Sequence, residues 1–269
     1  MLWKQDLFYF SIESRNNVDF FYKIHSIRLK TKKIFKVKSE RILEYCNLGF
    51  IDYKEAWDLQ NNIFQKRLKN EIEDTLFLLE HNHTYTLGKV AKPDHLLINN
   101  RQLNELGIKV YEIDRGGDIT YHGPGQIVGY PIIKLSNWKE DTHEYLRALE
   151  EVIINTCAYY GLNAERNSKY TGVWIQDRKI AAIGIKVSRW ITKHGFAFNV
   201  NTDLNYFGGI VPCGIRDYYV TSLQKELKNE IDIEGTKKIL LDEFVKVFGY
   251  SDVIVKKKDF YLLKEEKVE

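Results

Sequence analysis

The chain is poor in cysteine, and the three that it has are widely spaced. They are Cys46, Cys157 and Cys213 among 269 residues. So sparse and odd a set is typical of reduced thiols in an intracellular protein, not of a disulfide framework. No CxxC pair and no HxxxH pair is present to suggest a zinc site. We therefore expect neither structural disulfides nor a bound metal.

Long apolar runs are also missing. No stretch approaches the ~18 consecutive apolar residues that a membrane-spanning helix needs. The first residues, MLWKQDLFYFSIESRNN, contain neither the apolar core nor the cleavage site of a signal peptide, and the acidic Asp6, Glu13 and Asp19 disfavour an organelle-targeting peptide. We expect a cytoplasmic protein that does not associate with membranes.

Positive and negative side chains nearly balance. The net charge is +3 and the pI is near 8.5, without the basic stripe that a nucleic-acid-binding protein shows. The hydrophobic fraction of 44% and the aromatic fraction of 13% suffice for a substantial core. These values predict a folded, soluble chain that does not bind nucleic acid, and they are compatible with docking an acidic protein.

The pattern of apolar residues divides the chain into three parts. Residues 1–40 carry an aromatic cluster and then a basic stretch, and we treat them as an N-terminal extension. Residues 41–250 contain the regular elements, and residues 251–269 form a charged tail that we expect to fray from Lys256. No internal repeat divides the chain further.

Within 41–250, helical and strand-like patterns alternate. Helical spacing of apolar residues predicts helices over 53–69, 100–106, 141–161 and 236–248. Strand-like segments read TLFLLEH, HTYTLG, KVYEID, DITYH, QIVGYPIIKL, GVWIQ, KIAAIGIKV and HGFAFNV. The predicted class is α/β or mixed α+β, with a central mixed sheet and flanking helices.

A glycine-rich segment runs from Arg115 to Gln126, reading RGGDITYHGPGQ. Four glycines and a proline are too many for ordinary strands, and glycine lets a backbone approach a ligand closely or adopt positive φ. Arg115 and His122 could hold a carbonyl or a phosphate. The alternative is a pair of tight turns that join three strands.

Two further residues carry possible chemistry. Lys179 begins the apolar run KIAAIGIK; it is either a solvated strand end or, if it points into an apolar pocket, a base whose pKa desolvation would lower. Cys213 lies between Pro212 and Gly214 in VPCGI, outside any regular pattern. It is either a small buried hydrophobe, as Cys157 on its helix face is expected to be, or a nucleophile that a lysine ammonium activates.

Three stretches in this order, RGGDITYHGPGQIVGYPI, RKIAAIGIKVSRWITKHGFAFNVNTDL and VPCGI, together with the shorter HNHTYTLG, resemble the lipoyl(octanoyl) transferases. These enzymes transfer an octanoyl group from acyl carrier protein to a protein lysine. The resemblance covers roughly Arg41 to Tyr250. It implies the fold of the biotin and lipoate protein ligase catalytic domains, with a central sheet.

The resemblance also implies the roles of individual residues. Cys213 would hold the octanoyl group as a thioester, and Lys179 would tune that cysteine and act as acid and base. The acyl site would consist of Arg115, Gly116, Gly117, Asp118, Ile119, Thr120, Tyr121, His122, Ala182, Ile183, Gly184, Gly195, Phe196 and Ala197.

The same resemblance implies the partners. Octanoyl-acyl carrier protein would be the donor, and the acceptors would be lipoyl domains of 2-oxoacid dehydrogenase E2 subunits and the glycine cleavage H protein. A thioester is already an activated acyl donor, so neither ATP nor another cofactor is expected. We expect a monomer.

Three other functions compete with this interpretation. An ATP-dependent lipoate or biotin ligase on the same fold would not need a cysteine at 213, and the GRGRxG-like loop usual in biotin ligases is absent. A non-catalytic module that only docks carrier or lipoyl domains would not need Cys213 or Lys179. A nucleic-acid binder would need a basic face with interleaved aromatic residues.

Overall fold

The computed structural model describes residues 40–211 and 219–262, apart from the side chain of residue 262. The predicted extension, residues 1–40, lies outside this part of the chain except for its last residue, and Cys213 lies outside it too. No helix of the described residues combines the length and the apolar character needed to cross a bilayer.

A large mixed sheet forms the centre of the described chain. In spatial order, its strands are β12 (Asp252–Val255), β1 (Ile42–Phe50), β2 (Asp74–Glu80), β6 (Gln126–Ile132), β10 (Ile191–Asn199), β9 (Arg178–Ser188), β8 (Val173–Ile175) and β7 (Glu165–Arg166). The short β11 (Tyr219–Val220) pairs in parallel with β9. β12, β1 and β2 are parallel, whereas the pairs from β2 to β7 are antiparallel. The predicted mixed sheet is therefore confirmed.

Helices cover both faces of this sheet, because the side chains of its central strands alternate between two cores. Leu76 and Leu78 of β2 join the core beneath α3 (Thr142–Tyr159) and α5 (Ile233–Phe248). Phe77 and Leu79 join the opposite core beneath α1 (Tyr53–Leu68). The molecule thus has helix, sheet and helix layers, with the sheet buried on both sides.

Capping residues set where these helices begin. The Asp52 carboxylate accepts the Lys54 N–H ahead of α1, and the Asp141 carboxylate accepts the N–H groups of His143 and Glu144 ahead of α3. α5 starts at Ile233, one turn before the predicted Thr236. The predicted helix positions are otherwise confirmed, and a short α4 spans Leu223–Leu227.

A second sheet of three strands carries one side of the glycine-rich segment. Its spatial order is β4 (Lys109–Glu112), β3 (Thr84–Leu87) and β5 (Ile119–His122), and α2 (Asn100–Glu105) lies beside it. The sequence pattern does not separate these strands from the main sheet. Because β5 belongs to the small sheet and β6 to the large one, the glycine-rich segment bridges the two.

The last described residues are ordered, in contrast to the predicted fraying from Lys256. A short α6 spans Lys258–Leu262. Tyr261 is buried, its ring meets Phe77 edge to face, and its hydroxyl donates to Glu44. One aromatic residue in a charged stretch is enough to anchor this turn on the α1-side core.

The Asp74 carboxylate joins distant parts of the chain at one buried point. Oδ1 accepts from Arg67 Nε at 2.8 Å and from the Lys134 N–H at 2.9 Å. Oδ2 accepts from Arg41 Nη2 at 3.1 Å and from the Tyr250 hydroxyl at 2.9 Å. Every lone pair of this carboxylate therefore has a donor, and its charge lies between the buried Arg67 and the partly buried Arg41.

We predict that Asp74→Asn lowers the free energy of unfolding by about 3 kcal/mol, because it leaves buried arginine charge uncompensated. Urea unfolding at neutral pH measures the change. Asp58→Asn is the matched control: Asp58 pairs with Lys54 while 60% exposed, and its loss should cost less than about 0.5 kcal/mol. Equal losses in the two variants would contradict the assignment.

Candidate active site

A cavity of about 370 Å³ lies between the glycine-rich segment and the strands β9 and β10. That volume is in the range of pockets for small organic ligands. Of the described residues predicted to form the site, all but Tyr121 line it: Arg115, Gly116, Gly117, Asp118, Ile119, Thr120, His122, Lys179, Ala182, Ile183, Gly184, Gly195, Phe196 and Ala197. The structure therefore brings three separate sequence stretches to one cavity.

Tyr121 lies in the core of the small sheet and not on the cavity wall. Strand alternation explains this position, because Thr120 and His122 on either side face the cavity. The Tyr121 hydroxyl contacts His83 Nδ1 at 2.8 Å, and its ring stacks on Tyr206 with the centroids 5.2 Å apart. Its place is thus in packing of the small sheet.

The glycines allow the segment to lie directly on β9. The Gly116 N–H donates to the Ile185 carbonyl at 2.9 Å. A Cβ at Gly184 would lie 2.9 Å from Arg115 Cδ and 3.0 Å from the Gly116 oxygen, so a larger residue would push the segment away. The alternative reading as turns holds for Gly117, with φ +87°, and Gly125, with φ +78°. The segment combines close approach and tight turning.

Two charged groups of the segment are held by neighbouring strands and loops. Arg115 Nη2 donates to the carbonyl and the hydroxyl of Thr86, at 2.7 and 3.0 Å. Asp118 Oδ2 contacts His95 Nδ1 at 2.6 Å, and its Oδ1 accepts the Ile119 N–H. Both groups are more than nine-tenths buried. A cation is therefore fixed at the cavity wall, while the nearby carboxylate is already bonded within the protein.

The hydrogen-bond partners of His122 indicate its tautomer. Gln126 Nε2 donates to the Tyr121 carbonyl and to Asn199 Oδ1, which leaves Gln126 Oε1 to accept from His122 Nδ1 at 2.9 Å. His122 Nε2 then accepts from the Thr86 hydroxyl at 3.3 Å. Burial, with His81 and Arg115 nearby, holds the pKa of His122 well below its ordinary value.

His122 directly precedes the turn at Gly123, so its ring could cap that turn or face the cavity. The ring lines the cavity, yet both of its nitrogens contact side chains of the protein, not the backbone of the turn. It is thus not a simple turn cap. Its part in binding an acyl group remains a prediction.

Lys179 is a buried residue of the cavity wall, so it is not a solvated strand end. Its side chain is 5% exposed, and its Nζ lies 4.8 Å from the centroid of the Trp174 indole. Its stem packs on Gly172, where a Cβ would lie 3.3 Å from Lys179 Cε. The Lys179 carbonyl accepts the Thr221 N–H at 3.0 Å. The ammonium is therefore placed between an aromatic face and the cavity.

The sequence reasoning missed several polar groups at or beside the cavity, among them Lys169, Tyr170 and Thr171 on its wall. His194 Nε2 contacts Asp114 Oδ1 at 2.7 Å, while its buried Nδ1 has no hydrogen-bond partner among the described residues. The hydrogen bond from His194, together with Lys186 and Lys193, holds the pKa of Asp114 well below its usual range. Tyr53 and Tyr130 also line the cavity. His194 and Asp114 had a sequence signal, since each directly precedes a predicted site residue, Gly195 or Arg115.

Within residues 40–211 and 219–262, no group of three or more His, Cys, Asp or Glu side chains is arranged to hold a metal ion.

Comparisons with known proteins converge on one family. Residues 52–245 match the family described as the lipoyl protein ligase A/B catalytic domain. An octanoyltransferase of Christiangramia forsetii is 49% identical over 223 residues, covering 77% of this chain and 95% of that protein. An octanoyltransferase of Rubrobacter xylanophilus is 52% identical over 203 residues, covering 75% and 91%.

Solved structures agree on the fold. Lipoate-protein ligase A bound with ATP superimposes with a TM-score of 0.64 at 15% identity, covering 82% of this chain and 92% of that one. LipL1 of P. falciparum in complex with lipoate gives 0.64 at 18% identity, covering 82% and 67%. The predicted likeness to lipoate ligase catalytic domains is thereby confirmed.

With near-complete coverage of relatives at about half identity and a matching fold, the chain belongs to the octanoyltransferase family and is an acyltransferase.

Proposed function

We propose that the protein moves an octanoyl group from acyl carrier protein to a lysine of lipoyl domains through a thioester on Cys213, with Lys179 as acid and base. The acceptors are the lipoyl domains of 2-oxoacid dehydrogenase E2 subunits and the glycine cleavage H protein. Residues 41–250 act as the catalytic domain of a monomer. The observation that carries the proposal is the buried Lys179 on the wall of the cavity.

The ends of the segment that contains Cys213 support this pairing. Before the segment, the Val211 N–H donates to the His95 carbonyl at 2.8 Å, and His95 contacts the cavity residue Asp118. Cys213 is the second residue after Val211, and two residues of polypeptide span about 7 Å at most. After the segment, Val220 pairs with Lys179. Val211 is thus bonded to a neighbour of the wall residue Asp118, and Val220 is paired with the wall residue Lys179.

The remaining cysteines are poor nucleophiles. Cys46 of β1 and Cys157 of α3 are fully buried in the two cores. Burial raises the pKa of Cys46 to about 11 and that of Cys157 to about 12. Because the thiolate is the reactive form, neither should attack a thioester at neutral pH.

The proposed chemistry proceeds in two balanced exchanges. Lys179 removes the Cys213 thiol proton, the sulfur attacks the octanoyl carbonyl, and the carrier thiolate leaves with the proton that Lys179 returns. The neutral amine of the acceptor lysine then attacks the new thioester. It loses one proton to Lys179, and the Cys213 thiolate leaves and takes that proton back. An amide forms, a thioester is consumed, and the enzyme is regenerated.

No nucleotide enters this scheme, which separates it from the ligase alternative. A ligase must form an acyl-adenylate from a free acid, whereas a thioester donor is already activated. The lipoate ligases above share only the fold with this chain. Incubation with octanoyl-carrier protein alone should yield octanoylated lipoyl domain, and incubation with lipoate and ATP should yield no lipoylated product. The opposite result would favour a ligase, and no acyl-enzyme with either donor would favour a docking module.

We predict one octanoyl adduct, on Cys213, after the protein is mixed with octanoyl-carrier protein. Intact-mass and peptide mass spectrometry measure it, and hydroxylamine should cleave it because thioesters are labile to amines. Cys213→Ser should abolish the hydroxylamine-labile adduct, while Cys157→Ser should retain it. An adduct on Cys46 or Cys157 would overturn the assignment.

We predict that Lys179→Arg slows octanoyl transfer by ~10²-fold or more, because a guanidinium keeps the charge but cannot accept and return a proton. Single-turnover assays with a lipoyl domain measure the rate. Lys225→Arg, at an exposed lysine of α4, is the control and should stay within about twofold of wild type. Near-normal transfer in Lys179→Arg would remove Lys179 from the mechanism.

We predict that Gly184→Ala slows acylation by ~10-fold or more, because its Cβ would displace Arg115 and the Gly116 carbonyl from the cavity wall. Gly208→Ala is the control, since a Cβ there meets nothing within 4 Å. Acylation rates and melting temperatures are measured for both. If the two variants acylate equally fast, close approach of the glycine-rich segment is not needed for activity.

A further inference from the structure

A buried chain of side-chain amides joins the glycine-rich segment to the far side of β10. Asn199, the last residue of β10, is 3% exposed. Its Oδ1 accepts from Gln126 Nε2 at 3.0 Å, and its Nδ2 donates to the Thr221 carbonyl at 3.0 Å. Gln126 in turn accepts from His122. Four buried residues from three strands and the β11–α4 junction are thereby linked.

The direction of every bond in this chain is determined. A backbone carbonyl can only accept, so the Thr221 oxygen requires the amide nitrogen of Asn199. Asn199 Oδ1 then requires the nitrogen of Gln126, and Gln126 Oε1 requires the protonated Nδ1 of His122. No other arrangement of the two amides satisfies both ends. The chain therefore selects one geometry and one histidine tautomer.

On its other side, Thr221 holds the strand segment that carries Lys179. The Thr221 N–H donates to the Lys179 carbonyl at 3.0 Å. The Thr221 hydroxyl donates to Glu226 Oε1, which also accepts from Arg178 Nε at 2.9 Å. Thr221 itself is fully buried. The backbone of Lys179 is thus fixed relative to β11 by the direct bond from Thr221 and by the bonds of Thr221 and Arg178 to Glu226.

Such a hydrogen-bonded chain needs every one of its members, because a buried polar group left without its partner costs about 1–3 kcal/mol. Apolar residues of similar volume could stabilise the same contact without that requirement. The amides fix the relative positions of the groups that they join, since a fully satisfied polar network specifies a single arrangement. The arrangement specified here relates His122 on one cavity wall to Lys179 on another.

We propose that Asn199 is a positioning residue for acyl transfer, which holds β11 and the Lys179 backbone in register with His122 and the glycine-rich wall. This inference rests on the proposed function, because it takes Lys179 as the acid and base. Asn199 contacts neither substrate nor reacting atoms in this scheme and acts through Thr221.

The test compares Asn199→Ala with Asn201→Ala. Asn201 makes an equivalent pair of bonds, donating to the Ile231 carbonyl at 2.7 Å and accepting the Ile231 N–H at 3.0 Å, but it leads to the loop before α5. Single-turnover acylation is measured over a range of octanoyl-carrier concentrations, and urea unfolding is measured on the same preparations. Asn199→Asp, which keeps an acceptor for Gln126 but cannot donate to Thr221, is a second variant.

We expect both alanine variants to lose similar stability. In Asn199→Ala, the maximal acylation rate should fall ~10-fold or more with the half-saturating carrier concentration within about threefold, whereas Asn201→Ala should keep its rate. Asn199→Asp should be as slow as Asn199→Ala if the bond to Thr221 carries the effect. Equal maximal rates in Asn199→Ala and Asn201→Ala, or a normal rate in Asn199→Asp, would overturn the positioning role.

Acylation of the wild-type protein, measured beside that of Asn199→Ala, distinguishes failure of this inference from failure of the proposed function. If it forms no thioester on Cys213, the proposed function fails and the positioning role fails with it. If it forms that thioester and Asn199→Ala forms it equally fast, only the positioning role fails.

Discussion

The cavity depends on one close contact, the backbone of the glycine-rich segment lying directly on β9. The hydrogen bond from Gly116 to Ile185 sets the distance, and the absence of a side chain at Gly184 permits it. Because the segment connects a strand of the small sheet to one of the large sheet, this contact also fixes the two sheets against each other. Arg115 and His122 owe their positions on the wall to it.

Around this contact, buried polar groups are paired almost throughout. Arg115 is bonded to Thr86, Asp118 to His95, and His122 to two side chains. Groups that are already satisfied do not rearrange when a ligand enters, so the cavity is preorganised. In the described part of the chain, His194 Nδ1 is buried without a hydrogen-bond partner, and so is Nε2 of Gln60, whose Oε1 accepts the His194 N–H.

Local chemistry explains what the sequence could predict. Helical spacing located α1 and α3, and the three ordered stretches named fourteen of the described residues on the cavity wall. Strand partners were not predictable, because periodicity does not tell which sheet a strand joins; β3, β4 and β5 are the example. Tyr53 of α1 reaches the cavity only through long-range packing, and the anchoring of α6 by Tyr261 depends on a core that the tail pattern does not reveal.

The pairing of β1 with β12 has a consequence for biosynthesis. β1 is among the first described residues to leave the ribosome, but its outer neighbour, Asp252–Val255, is among the last. Until then β1 is an open edge, and the Asp74 cluster lacks its Tyr250 donor. A nascent chain can fold its central strands during translation, yet the outer edge of β1 stays unpaired until Asp252–Val255 has been synthesised. Chains that terminate early would expose an unpaired strand and be recognised by chaperones or proteases.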